Sequence, residues 1–213
     1  MTMMRIHPIS RLLALAAFAA ATASCGNVVR DSRSPVYLSV DLLQAAPGNK
    51  PATLVGNLNS DVLTLVTAGG TCTIAAPCPT VFNDVGAATL RTVLKDLGTG
   101  TTPNTPTTNN EVTITRYHVD YRRADGRNTP GVDVPFGFDG AVTGTIPASG
   151  TLQLGFELVR IVAKEESPLA QLVSNFTFMS TIADVTFYGR DRVGNAVSVT
   201  GSILITFGNF GDF

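Results

Sequence analysis

Beyond residue 24 the sequence holds one histidine, His118, set between Tyr117 and Tyr121 in a stretch that reads as a strand. A Ser-His-Asp arrangement needs a serine placed against that one base. No G-x-S-x-G elbow exists to present such a serine. A zinc hydrolase needs more histidines than the chain supplies. His118 therefore reads as a surface or packing residue. Carboxylates can do hydrolytic work in pairs, as in glycosidases, and the candidates are Glu165-Glu166 with Asp125, Asp133 and Asp139. The two Glu, flanked by Lys164 and Ser167, read as the solvated approach to a helix. Asp125 and Asp139 stand beside Gly126 and Gly140, where turns want them. Calcium takes about six to eight oxygen ligands. Asp125, Asn128, Asp133 and Asp139 offer several from one stretch, without EF-hand spacing. They are the metal candidates, and no cofactor is implied. Phe136 and Phe138 either form an exposed contact patch or plug the end of the fold.

Three cysteines remain to be placed. Cys72 and Cys78 form a close pair around Pro77. In an oxidising compartment such a pair is a disulfide; with no nearby histidine it makes half a zinc site at best. Cys25 follows Arg5, Arg11, an apolar run from Leu12 to Ala21, and the small residues Thr22-Ala23-Ser24. A spanning helix needs about 20 apolar residues, so the run is too short for a permanent anchor. A basic start, a short apolar core and small residues describe a secretory signal peptide over residues 1–24. The stretch Thr22-Ala23-Ser24-Cys25-Gly26 resembles the lipobox of bacterial lipoproteins, with Thr22 where that family usually has Leu. The resemblance implies that Cys25 is acylated, that residues 25–35 are a tether, and that the protein is held at the cell envelope, at the outer membrane or cell surface. Ala21-Thr22-Ala23 also fits ordinary cleavage, which would release a soluble chain beginning at Ser24.

Charge narrows the partners. Removing Arg5 and Arg11 from the 15 basic residues leaves 13 against 16 acidic ones, a net charge of −3. That leaves no strongly basic face, so nucleic acid is not an expected partner. An envelope protein or a glycan is.

The elements that must position these residues are mostly strands. Val36, Leu38, Val40 and Leu42 alternate with polar residues, and Asp61 to Thr67 reads as a strand buried on both faces. Ala88, Leu90, Thr92 and Leu94 share one side of another. Residues 97–110 are polar and of low complexity, and read as a long mobile loop within one domain, or else as a linker between two. Glu111 to Arg123 reads as one long strand whose apolar set changes face between Ile114 and Tyr117, which predicts a bulge. Val142–Ile146 and Leu152–Leu158 read as a hairpin turning at Ser149-Gly150. Ser167-Pro168 predicts an N-cap and first helical residue for a short helix over residues 169–173.

Near the end, Ala183, Val185 and Phe187 alternate with polar residues. So do Val197, Val199, Gly201, Ile203, Ile205 and Phe207, after the turn Asp191-Arg192-Val193-Gly194-Asn195. One face is apolar and the other hydroxylated, as for a sheet with one side in water. Residues 181–207 resemble the terminal hairpin of bacterial immunoglobulin-like and fibronectin-like modules. The resemblance implies an antiparallel immunoglobulin-like β-sandwich of about seven to nine strands over residues 36–213. A transmembrane barrel would carry lipid-facing apolar residues to the end, and Gly211 and Asn209 break that pattern. The expectation is a tethered, non-enzymatic module; the alternatives are a carboxylate-based glycan hydrolase or a small-ligand binder.

Overall fold

The computed structural model describes residues 33–211, so the leader and Cys25 lie outside the described residues. The fold is mostly β. A three-stranded antiparallel sheet has the order β1-β5-β10, from β1 (Val36–Ala46), β5 (Asp84–Leu94) and β10 (Thr151–Val159). A five-stranded sheet has the order β2-β12-β11-β8-β9, from β2 (Asn57–Asp61), β8 (Val112–Arg122), β9 (Phe138–Ile146), β11 (Met179–Asp191) and β12 (Ala196–Gly208). Two small ladders complete it: β3 (Thr64–Val66) with β4 (Cys78–Thr80), and β6 (Gly98–Thr99) with β7 (Thr102–Pro103). Both large sheets draw strands from each side of residues 97–110. They share one core, with Val36, Leu90, Leu154 and Phe156 from one sheet meeting Ile114, Val185, Phe187 and Ile205 from the other. Phe156 meets Phe187 edge-on, 5.4 Å between ring centroids.

The terminal hairpin pairs as its alternation predicts, Ala183 opposite Ile203 and Phe187 opposite Val199. The predicted bulge in β8 is present: the pairing with β11 slips between Ile114 and Arg116, which turns Tyr117, Val119 and Tyr121 inward after Val112 and Ile114.

Four expectations are corrected. Val142–Ile146 and Leu152–Leu158 are not a hairpin: β9 pairs with β8 and β10 pairs with β5, so residues 147–150 carry the chain from one sheet to the other. The run from Asp61 to Thr67 is not one strand. The Asp61 carboxylate accepts hydrogen bonds from Leu63 N and Thr64 Oγ1, 3.3 Å each, and turns the chain out of the sheet. Leu42 is not in the buried set of β1, because a bulge at Asp41 sends Leu43 toward the core and leaves Leu42 exposed. The five-stranded sheet is not wholly antiparallel, since β2 runs parallel to β12.

The loop over residues 97–110 is exposed, yet it carries the β6–β7 ladder and a 3-10 turn at Thr108–Asn110. Asn110 is buried, and its side-chain oxygen accepts from Thr107 N at 2.8 Å. A 3-10 helix spans Leu169–Val173, with Pro168 at the cap position rather than inside the helix. An α-helix not foreseen, α1 (Ile161–Glu165), precedes it.

The turn between β11 and β12 hangs on Asp191. Its carboxylate accepts from Val193 N (3.1 Å), Asn195 N (2.8 Å) and Asn195 Nδ2 (2.8 Å). Partial burial raises its pKa, but these bonds and one from Ser34 outweigh that and hold it below the usual value. A depressed carboxylate stabilises the fold above its unfolded pKa, and the contribution is lost as pH falls through the folded one. Asp191→Ala should therefore cost about 1–2 kcal/mol at neutral pH in denaturant unfolding. The gap between variant and parent should close once the pH drops well below 4, roughly the ordinary aspartate pKa.

Candidate functional site

Sequence reasoning missed the most unusual group in the molecule. Lys164 Nζ lies 2.9 Å from Asp84 Oδ2, and both side chains are only 1% exposed. The five-residue helix α1 faces Ile161 and Val162 to solvent and turns its lysine inward. Asp84 opens β5 of the three-stranded sheet. Its Oδ2 accepts from Ser60 Oγ (2.5 Å), a residue of β2 in the other sheet, and its Oδ1 accepts from Gly48 N (3.0 Å). Lys164 Nζ also donates to the carbonyl of Asp61 at 2.9 Å. Burial pushes the Asp84 carboxyl up; the ammonium and the hydrogen bonds pull it back only in part.

Two tyrosines bridge the sheets nearby. Tyr121 Oη donates to the carbonyl of Leu158 at 2.6 Å, and Tyr117 Oη accepts from Glu157 N at 3.2 Å. Burial raises both phenols, and the charge of Asp84 pushes Tyr121 further up.

His118 sits on the outer face of the five-stranded sheet. Its Nε2 is 3.1 Å from Asp120 Oδ2 and its Nδ1 is 3.2 Å from Asp139 Oδ1. Asp139 also accepts from Arg116 (2.9 Å), whose guanidinium lies 3.6 Å from the centroid of the Tyr188 ring. Thr186 stands opposite His118 on β11, but its hydroxyl pairs with Thr200 at 2.8 Å. Both imidazole nitrogens face carboxylates, so neither is directed at a nucleophile. The ring is one link in a surface chain from Asp120 to Tyr188.

The calcium candidates do not converge. Asp125 is bracketed by the guanidinium groups of Arg123 (2.7 Å) and Arg127 (2.9 Å), which hold its pKa far below the usual range. Asn128 Oδ1 accepts from Arg123 N, Asp133 accepts from Thr129 N, and Asp139 belongs to the histidine chain. Among the described residues no three His, Cys, Asp or Glu side chains group as metal ligands. Glu165 and Glu166 are exposed, at the end of the helix that carries Lys164.

Phe136 and Phe138 part company. Phe138 is not an exposed contact residue. It opens β9 opposite Val119, is buried edge-on against Tyr117, and has the Arg160 guanidinium over its ring at 4.0 Å. Phe136 is exposed beside Pro135, Arg160 and Val162. The cleft there has a volume of about 30 Å³, enough for roughly one water. Cys72 and Cys78 are disulfide-bonded. They close the end of the β3–β4 hairpin, where Ile74 is 81% exposed.

No family model matches the chain, and neither the curated proteins nor the solved structures contain a match to it.

Lys164→Ala would leave Asp84 buried without its counter-ion and should cost at least about 3 kcal/mol. His118→Ala removes one link of an exposed chain and should cost less than about 1 kcal/mol. Denaturant unfolding of the two variants side by side checks the contrast.

Proposed function

We propose that this protein is a membrane-tethered, non-enzymatic module of the bacterial cell envelope, an immunoglobulin-like sandwich that offers one end to an envelope protein or glycan. Acylated Cys25 would hold it at the outer membrane or cell surface. The observation that carries the reading is that the chain enters the β body at one end while the exposed phenylalanines Phe136, Phe176 and Phe178 stand at the other. Ser34, just before β1, bonds to Asp191 at one end of β11. Phe176 and Phe178 stand just before the other end, at 84% and 64% exposure. β11 has 13 residues, so these ends lie about 40 Å apart. The far end also carries Phe136 and Val162, and the disulfide-closed hairpin with Ile74 departs from it. A tether entering at one end would leave these phenylalanines at the other facing outward. Apolar side chains gathered at the rim of a rigid sheet body suit partner contact.

The test is fractionation of a bacterial host expressing the full chain, with intact mass measured on each fraction and Cys25→Ala as control. A membrane-bound species carrying diacylglycerol and an acyl chain, lost in the control, is the expected result. An unmodified soluble species beginning at Ser24 would remove the tether and with it this reading.

A further inference from the structure

We propose that Asp84 and Lys164 condense into an intramolecular isopeptide bond, catalysed by the site itself. The inference is independent of the tether. An amine nitrogen 2.9 Å from a carboxyl oxygen, both side chains 1% exposed, is held one bond away from the carbon it would attack and is shielded from water. Intramolecular placement of this kind is worth effective molarities on the order of 10⁵–10⁸ M. Exclusion of water also disfavours the carboxylate and favours the carboxylic acid, the form open to attack. The raised Asp84 carboxyl runs the same way.

The atoms around the pair meet the needs of each step. One proton passes from Nζ to Oδ2, giving the amine and the carboxylic acid. The nitrogen lone pair then attacks Cγ, and the carbonyl electron pair moves onto Oδ1. Gly48 N–H already donates to Oδ1 at 3.0 Å and meets the developing negative charge. A second proton passes from nitrogen to Oδ2, directly or through the hydroxyl of Ser60, which bonds to Oδ2 at 2.5 Å. The Cγ–Oδ2 bond breaks, Oδ2 leaves as water with its electron pair, and the carbonyl re-forms on Oδ1. One hydrogen stays on nitrogen, and the Asp61 carbonyl, 2.9 Å from Nζ, is in place to accept it. Nothing is oxidised or reduced, and one water is lost. The product ties α1 to β5 by a covalent bond.

The test is peptide mapping of the denatured, reduced full chain by mass spectrometry. Trypsin does not cleave at a lysine whose amine is acylated, nor at Lys50 before Pro51. The linked product is therefore Ser34–Arg91 joined to Ile161–Arg190, with a mass one water below the sum of the two peptides. Lys164→Arg keeps the charge and cannot condense; it should give only separate peptides. Recovery of unlinked Ser34–Arg91 and Ile161–Lys164 from the folded wild-type protein, at full mass, would overturn the proposal. The wild-type measurement decides the matter even if the variant fails to fold.

Discussion

A carboxylate and an ammonium that have both left water must find each other, because either alone would cost several kcal/mol. In this fold that requirement falls at one place. Asp84 begins β5 in the smaller sheet, Ser60 belongs to β2 in the larger one, Gly48 lies in the connection between β1 and β2, and Lys164 comes from α1. Four segments distant in sequence must arrive together before either charge is satisfied. The parallel placement of β2 against β12 brings Ser60 and the Asp61 carbonyl to the pair. Tyr121 and Tyr117 add neutral bridges from the larger sheet to the backbone of β10. The core is apolar, but its far end is closed by polar bonds with directions.

Periodicity carried most of the strand assignment, and the reason is local. On β11, β12 and β8, side chains alternate between a dry face and a wet one, and the alternation survives in the sequence. Even the bulge in β8 was visible, because an extra residue reverses the pattern after it. Where the sequence misled, a neighbour far along the chain decided the outcome. Residues 142–158 look like a hairpin because two alternating segments flank a turn. The choice between pairing together and joining different sheets rests on β8 and β5, which the local pattern does not report. At Asp61 the backbone turn is made by a side chain that reads as an ordinary strand terminus.

The candidate residues divide in the same way. Cys72 and Cys78 were legible because six residues of separation leave few options. Asp125, Asn128, Asp133 and Asp139 looked like a ligand set because they are close in sequence. The fold spends their oxygens on arginines and backbone amides instead. Lys164 and Asp84 stand 80 residues apart in types that are usually solvated. A lysine between Ala163 and Glu165 gives no sign that it points inward.

The course of β1 has a mechanical consequence. The chain enters this strand at Val36, beside the Asp191 turn, and runs toward the end that holds Asp84 and Lys164. A pull applied between the N-terminus and the far loops would act along the strand. Every hydrogen bond between β1 and β5 would then be loaded together in shear rather than peeled one at a time. A protein held at one end and grasped at the other would resist extension first through that ladder, and the lock at Asp84 lies where β5 would otherwise begin to slip.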